Sequence, residues 1–303
     1  RVAVFDRGDR GLVIATGADR LSWLHNLVTN AVKTLDTGAG NYAFATDVKG
    51  RVQFDLSILN RPDALWLDID AATVPAALAH LERRLITEDV RLEDATTPFA
   101  RLACAGPDAD AVAVRLGVAN FAALPALASV TLADGAVFVR HDFTGQPGFE
   151  LIVARSAAAA WWDRLVGDCG ATPAGLATLD VLRLEAGLPW WGRDIDEDVL
   201  PPETGQIERG ISYHKGCYLG QEVIERMRSR GVTARRLARL TAPDAAGLVL
   251  PAPLTHEGRE VGRVTSLARH PQRGDWLGLG YVRSGLAAGT AVTTGAVTLT
   301  IAD

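Results

Sequence analysis

Apolar residues recur along the chain at two spacings, which predict helices in some segments and strands in others. Over 21–28 they follow the helical spacing, behind a Thr16 or an Asp19 that is placed to cap the helix. Over 41–59 apolar residues alternate with polar ones on either side of a glycine-containing turn. That alternation predicts a β-hairpin with Asp55 on its polar face.

The same patterns predict the remaining elements. The first part of the chain should contain a strand over 64–69, a helix over 74–86, a rough repeat of the order strand, strand, helix over 99–156, and helices over 156–166 and 173–185. Residues 190–205, rich in Gly, Pro and acidic side chains, favour an irregular segment of the kind that often carries function. After Gly231, β-prone runs separated by turns predict a small antiparallel barrel, at 237–240, 261–267, 276–282 and 291–301. We therefore expect an α+β chain with domains over 1–232 and 233–303.

Composition narrows the class of protein. Of 303 residues 48% are hydrophobic and 22% are charged, as in globular proteins, and 31 basic against 36 acidic side chains give a net charge of −5. This acidic balance argues against a general nucleic-acid coat. No apolar run approaches the ~18–20 residues that span a bilayer and no leader-like segment opens the sequence, so we expect a cytoplasmic protein. Because the sequence begins at Arg1 rather than Met, we expect a few residues to precede it.

The cysteines exclude a disulfide scaffold. There are three of them, Cys104, Cys169 and Cys217, and they form no Cys-x-x-Cys pair. An odd number without close pairing also argues against a self-contained zinc or iron-sulfur cage, and the histidines show no metal-binding spacing. We therefore expect a reducing compartment and no resident metal.

The segment at 214–222, HKGCYLGQE, carries the strongest chemical signal. It leads into a predicted helix that continues to Gly231. A helix start favours negative charge, and Lys215 adds a positive one, so the thiolate of Cys217 should form more readily than that of a free thiol. Gly216 should let the backbone approach a ligand closely. Cys217 is then a nucleophile, a redox thiol or a transient metal ligand, or it is a small packing residue.

This segment resembles the signature of the YgfZ-type folate-binding proteins, which are relatives of the glycine cleavage T-protein. FTGQPGFE at 143–150 and LRLEAGLP at 182–189 are similar to segments of the same superfamily. The resemblance implies a multidomain ring of α/β units, with two interleaved α+β subdomains before the barrel, around a central channel. It implies tetrahydrofolate or a derivative as the cofactor, so reduced folate is the expected small-molecule partner.

The resemblance also implies a function. It points to an accessory role in iron-sulfur cluster assembly or repair that supports cluster-dependent enzymes, including those that modify tRNA, with Cys217 as the functional thiol and transient cluster ligand. The expected partners are then the iron-sulfur assembly machinery or its client enzymes. The alternative is a folate-dependent aminomethyltransferase or demethylase that acts through Asp55. A binding module for tRNA without catalysis is a third hypothesis.

Two carboxylates match superfamily positions around the folate. Asp55 matches an aspartate beside the reactive nitrogens, while Phe54 stands where the T-protein has a second acid. Glu150 matches the glutamate that reads the pterin, where one carboxylate accepts two hydrogen bonds. Without the resemblance, both fit polar positions on strands. Leu179 occupies the place of a T-protein arginine, which should weaken or alter folate binding.

Further residues complete the predicted site. Asn41 and Tyr42 lie close to Asp55 in the hairpin, where Tyr42 is able to stack on a flat ring. With the thiol segment, this gives a predicted catalytic set of Asp55, Lys215 and Cys217. The predicted cofactor-binding set is Asn41, Tyr42, Asp55, Glu150, Gly216 and Tyr218.

A run of arginines follows the thiol segment. The run consists of Arg226, Arg228, Arg230, Arg235, Arg236 and Arg239, and Glu225, directly before it, is the one acidic neighbour that opposes its charge. A folate polyglutamate tail, tRNA or an acidic partner would suit such a cluster. The alternative is a solvated helix face with salt bridges to the acidic residues of 194–198.

Overall fold

The structure is a computed structural model that describes residues 1–231 and 233–302. These residues form two compact units. Unit 1 comprises residues 1–47, 53–175 and 208–219, and unit 2 comprises residues 48–52, 176–207 and the described residues from 220 onward. The last residue of the expected first domain, Val232, lies outside the described residues, and the boundary between 232 and 233 stays a prediction.

The described chain contains seven α-helices and seventeen strands, besides short 3-10 and π turns. The α-helices are α1 (Arg20–His25), α2 (Val74–Glu82), α3 (Ala109–Arg115), α4 (Ala158–Asp163), α5 (Leu176–Glu185), α6 (Ile207–Gly210) and α7 (Gln221–Arg230). The strands are β1 (Ala3–Asp6), β2 (Arg10–Thr16), β3 (Gly40–Thr46), β4 (Val52–Asn60), β5 (Ala64–Asp70), β6 (Arg91–Asp94), β7 (Phe99–Ala105), β8 (Ser129–Thr131), β9 (Val137–Arg140), β10 (Gly148–Ala154), β11 (Thr172–Pro173), β12 (Arg235–Ala242), β13 (Ala252–His256), β14 (Arg259–Arg269), β15 (Trp276–Arg283), β16 (Ala291–Thr294) and β17 (Val297–Ile301).

Unit 1 contains two sheets. One has the strand order β11-β1-β7-β10-β9-β8, and the other has the order β3-β4-β5-β2-β6. The first buries a hydrophobic core against α3 and α4, in which the rings of Phe138 and Phe149 stack with centroids 4.7 Å apart. Charged side chains that project from β2, β5, β7 and β10 meet Arg7, which follows β1, in the interior of the unit, as described below.

The predicted hairpin is present as β3 and β4, but the face on which we placed Asp55 is buried rather than polar and solvated. Phe54 is 1% exposed and packs edge-on against His80 of α2, with ring centroids 5.5 Å apart. Asp55 points to the opposite side of the strand, and it is only 7% exposed there. Both faces of β4 are therefore covered, which strand alternation alone does not reveal.

Several helix boundaries differ from the predicted ones. The predicted 21–28 helix is the short α1, and neither proposed cap donates or accepts a capping hydrogen bond at its start. Asp19 instead accepts a hydrogen bond from the backbone N–H of Asp89, at 2.8 Å. The helix predicted over 173–185 begins at Leu176. Among the described residues, no helix is long and apolar enough to cross a membrane.

Unit 2 contains the predicted barrel. Its six described strands close in the order β12-β15-β14-β13-β16-β17, with β12 paired to β17. The predicted runs at 237–240, 261–267 and 276–282 fall on β12, β14 and β15. The single run predicted over 291–301 is divided into β16 and β17, and β13 was not predicted. The helix α5 packs on the barrel through Leu184, and the fully buried Arg183 donates to Asp194 at 2.6 Å and to Ser266 at 2.9 Å. The ring and its central channel stay a prediction.

Candidate functional site

Asp55 is the centre of the candidate site. Its Oδ2 accepts a hydrogen bond from the Tyr42 hydroxyl at 2.7 Å. Its Oδ1 is buried and has no hydrogen-bond partner among the described residues. Burial raises the pKa of Asp55, while the cations Arg10 and Arg209 and the hydrogen bond from Tyr42 oppose that rise. One oxygen is thus held in place and the other lacks a donor.

Tyr42 is also held through contacts to its ring. It is 7% exposed, and the guanidinium of Arg209 lies over its ring, 4.1 Å from the centroid. Phe44 meets the same ring edge-on, with centroids 5.2 Å apart. Burial and the Asp55 carboxylate raise the pKa of Tyr42 well above 10, so its hydroxyl stays a donor to Asp55 at neutral pH.

Glu150 lies in a buried network of ion pairs. Its Oε2 accepts from Arg101 Nη1 at 2.8 Å, and its Oε1 lies 3.4 Å from Arg7 Nη1. His141 Nδ1 stands 3.5 Å from Oε1, which is too long for a strong hydrogen bond. Although burial acts in the other direction, Arg101, His141 and Arg7 hold the pKa of Glu150 well below its ordinary value. Glu150 is therefore ionised and already bound to cations.

Arg10 and Asp68 link Asp55 and Glu150 through electrostatic contacts. Asp68 accepts from Arg10 Nε at 2.8 Å and pairs with Arg101 Nη1 at 2.6 Å. Although burial lowers it, the carboxylates Asp68, Asp55 and Glu150 together raise the pKa of Arg10. The structure therefore brings Asp55 and Glu150 into one electrostatic neighbourhood within unit 1.

Lys215 is hydrogen-bonded to a turn of the backbone in unit 1. Its Nζ donates to the backbone carbonyls of His25, Val28 at 2.6 Å and Asn30 at 3.0 Å. Burial lowers the pKa of Lys215 to about 7. Its ammonium also stands 5.0 Å from the ring centroid of Tyr218, which is buried. The donors of Lys215 are thus engaged by the turn over 25–30, and its predicted role beside Cys217 stays a prediction.

Cys217 is the one exposed cysteine in the described part of the chain, whereas Cys104 and Cys169 are buried. Gly216 is exposed too, and a Cβ at that position would meet no atom within 4 Å. No close approach of protein backbone requires glycine there. Across residues 1–231 and 233–302, no group of three or more His, Cys, Asp and Glu is arranged to hold a metal ion.

Asn41, beside Tyr42 in the sequence, forms a hydrogen bond to nearby backbone. Its Nδ2 donates to the carbonyl of Ala31, and its Oδ1 is buried without a partner in the described part of the chain.

The cations Arg10, Arg101 and Arg209 were not predicted as site residues. Sequence gives no signal for them, because a charged residue on a strand or short helix looks the same whether it is buried in a pair or solvated.

The arginine run is partly engaged within unit 2. Arg235 Nε donates to Glu203 at 3.0 Å, and its Nη2 donates to the carbonyl of Asp198 at 2.6 Å. Arg236 and Arg239 donate to the carbonyls of Leu286 and Glu185, at 3.2 and 3.0 Å. On α7, Arg228 lies 3.6 Å from Glu225. The ion pairs of Asp194, Asp196 and Asp198 are made with Arg183, Arg263 and Arg51, which do not belong to the run.

Two family models match this chain. Residues 1–212 match the GCVT N-terminal domain, and residues 235–298 match the glycine cleavage T-protein C-terminal barrel domain. The chain belongs to the glycine cleavage T-protein family. An aminomethyltransferase of Rubrobacter xylanophilus is 32% identical to this T-protein family member over 295 residues, which cover 93% of the chain and 76% of the relative. An aminomethyltransferase of Geobacillus kaustophilus is 31% identical over 304 residues, or 95% and 81% of the two chains.

A solved T-protein structure has the same fold. The crystal structure of glycine cleavage system aminomethyltransferase T from Bartonella henselae matches with a TM-score of 0.89 and 24% sequence identity, over 100% of this chain and 85% of that one. The predicted α+β class with a C-terminal barrel is therefore confirmed. Members of the T-protein family use tetrahydrofolate, which is the cofactor that the sequence predicted. These relatives support the wider superfamily rather than the YgfZ-type branch, and they support the alternative function better than the iron-sulfur one.

Proposed function

We propose that this protein is a folate-dependent aminomethyltransferase or demethylase in which Asp55 faces the reacting nitrogen. The observation that carries the proposal is the buried Asp55 Oδ1, which lacks a donor among the described residues while Oδ2 is fixed by Tyr42. A buried polar atom left without a partner costs about 1–3 kcal/mol. An amine N–H of a bound ligand would remove that cost.

The arrangement suits transfer of a one-carbon unit between amine nitrogens. A reduced folate, when bound, supplies the nitrogens that exchange this unit. Asp55 would orient an amine through its free oxygen and stabilise the positive charge that develops as the carbon–nitrogen bond breaks. Because Asp55 is buried, this charge stabilisation is stronger than in water. The raised pKa also brings the carboxylate closer to the range in which it accepts a proton near neutral pH.

Glu150 and Phe54 set limits on this function. A carboxylate has about four lone-pair sites, so Glu150 is able to accept hydrogen bonds from a pterin in addition to those from Arg101 and Arg7. Phe54 is buried and apolar, so Asp55 acts without a second acid beside it. Asn41, Tyr42, Gly216 and Tyr218 remain proposed contributors to the folate pocket.

The test is turnover of aminomethyl and N-methylamine donors with tetrahydrofolate under anaerobic conditions. We expect Asp55→Asn to lower kcat/KM by at least about 100-fold, because the amide cannot stabilise positive charge. Asp63→Asn, a matched change in an exposed loop, should behave as the parent. Equal turnover by parent and Asp55→Asn, or no turnover of any donor by the parent, would overturn the proposal.

The exposure of Cys217 favours a second candidate function. A solvent-accessible thiol in a segment like the YgfZ signature suits a transient ligand or thiol in iron-sulfur cluster assembly or repair, with cluster enzymes, including tRNA-modifying ones, as clients in the cytoplasm. The test is complementation of a deletion strain, read out as the activity of cluster-dependent enzymes. Cys217→Ala should fail to restore them and Cys169→Ala should succeed; restoration by Cys217→Ala argues against the role.

Direct tRNA binding by the arginine run is the remaining proposal for partners. The residues with exposed positions, Arg226, Arg228 and Arg230, lie on α7. Affinity for tRNA should fall steeply as salt rises if these guanidiniums contact phosphates. Salt-independent or absent binding rejects this partner.

A further inference from the structure

We infer that Tyr42, held in place by Arg209, is a positioning residue that fixes Asp55 so that its second carboxylate oxygen faces the reacting nitrogen. The inference deepens the proposed function and rests on it. It adds a defined path of contacts from the segment over 208–219 to the proposed acid.

The first step is the hydrogen bond between phenol and carboxylate. A carboxyl group rotates about its bond to Cβ unless an oxygen is held, and the 2.7 Å bond from the Tyr42 hydroxyl holds Oδ2 of Asp55. Because both residues are buried, this bond is stronger than it would be in water. Oδ1 is left as the oxygen that meets a ligand.

The second step is the position of Arg209 over the Tyr42 ring. One side-chain amide joins the two residues, since Asn30 Nδ2 donates to the backbone carbonyls of both Tyr42 and Arg209 at 2.8 Å. Gly210 permits this approach, because a Cβ there would lie 2.7 Å from the ring of Phe44 and 3.3 Å from that of Tyr42. The backbone of Arg209 is therefore held beside that of Tyr42, within reach for its guanidinium to lie over the ring.

The third step is the support of Asn30 itself. Thr29 Oγ1 donates to the carbonyl of Gly210 at 2.6 Å and accepts from the backbone N–H of Phe44 at 2.9 Å. Lys215 Nζ binds the carbonyls of Val28 and Asn30 on the same turn. The lysine of the thiol segment thus acts at a distance on Asp55, by fixing the turn that holds Arg209 on Tyr42.

The charges around Asp55 determine in which direction the substitutions should change its pKa. The groups that act on it are Arg10 on β2, Tyr42 on β3, Asp68 on β5 and Arg209 on α6. Three of them, the two cations and the phenol, favour the ionised carboxylate. Removing the phenol hydroxyl should therefore raise the pKa of Asp55 further and let the carboxyl group rotate.

The experiment compares Tyr42→Phe and Arg209→Gln with the parent. Tyr281→Phe serves as the matched control, because it removes a buried phenol hydroxyl from the barrel of unit 2. We expect Tyr42→Phe to lower kcat about tenfold while KM for the folate changes less than twofold, and to move the acid limb of kcat/KM to higher pH. Arg209→Gln should show the same changes to a smaller extent, and Tyr281→Phe none.

A second readout separates failure of this inference from failure of the proposed function. The Asp55 carboxyl carbon is titrated by carbon-13 NMR in each folded variant, which requires no turnover. A higher pKa of Asp55 in Tyr42→Phe and in Arg209→Gln supports the inference even if the parent transfers no one-carbon unit. An unchanged Asp55 titration, or a loss in Tyr42→Phe that lies entirely in KM, would overturn it.

Discussion

Glu150 and Arg101 form a buried ion pair, with Arg101 Nη1 2.8 Å from Glu150 Oε2 and both side chains 5% exposed or less. The same nitrogen also lies 2.6 Å from Asp68 Oδ2. Glu150 and Asp68 therefore both neutralise Arg101, whose side chain is almost fully buried. The glutamate that family resemblance assigns to ligand reading also has a structural role in this protein.

Glu150→Gln should destabilise unit 1 severely. The substitution removes one of the two carboxylates that pair with the buried Arg101 and leaves Asp68 beside it. Loss of one partner of a buried pair typically costs about 3–5 kcal/mol, and the remaining carboxylate should hold the cost near the lower end of that range. The free energy of unfolding from urea titration at pH 7 measures it, and Glu93→Gln on an exposed strand position is the control. A change of under about 1 kcal/mol would show that the pair is not a significant source of stability.

The stabilisation by Glu150 should also depend on pH. Because the folded pKa of Glu150 lies below 4.5, its contribution to the free energy of unfolding should be complete above pH 4.5 and lost as pH falls through the folded value.

The activity of the parent should show an acid limb due to Asp55. Burial raises the pKa of this carboxyl, so kcat/KM should begin to fall at a higher pH than an ordinary aspartate would give. A pH profile of kcat/KM from pH 4 to 8 measures the limb. Asp55→Asn should remove it from the residual activity, and a limb that persists unchanged in that variant would assign it to another group.

Lys215→Met should loosen the turn over 25–30. The substitution leaves the carbonyls of His25, Val28 and Asn30 without their ammonium donor. Hydrogen exchange should become faster at this turn and at Arg209 and Gly210. Cys217→Ser changes an exposed neighbour of the same segment and should leave the exchange pattern as in the parent. Equal protection in Lys215→Met and the parent would contradict this structural role.

The stability of the protein should fall between pH 6.5 and pH 4 because of His80. Burial lowers the pKa of His80 to about 4 in the folded state, against 6.5 when unfolded. Between these values the unfolded chain binds the extra proton, so the free energy of unfolding decreases as pH falls. His80→Leu keeps an apolar contact with Phe54 and should reduce this slope. A variant with the slope of the parent would exclude His80 as its origin.

The spacing of apolar residues predicted much of the fold. The hairpin β3–β4, the helices α2 and α5 and most barrel strands lie within a few residues of their predicted bounds, because these segments follow the periodicity of a strand or helix. The strand β13 was missed, since Pro253 and its neighbours give no alternation signal. Capping by Asp19 failed as a prediction because its carboxylate has a long-range partner, the backbone of Asp89.

For the candidate site, the sequence by itself determined which residues we propose to carry chemistry: an aspartate on a hairpin, a glutamate in FTGQPGFE and a cysteine in KGCYLGQE. Only the tertiary structure decided their surroundings. Periodicity places a side chain on one face of its own element, whereas burial depends on the elements that cover that face. For that reason Asp55 is enclosed with one oxygen held by Tyr42, Glu150 is bound to arginines, and Lys215 donates to the carbonyls of a turn.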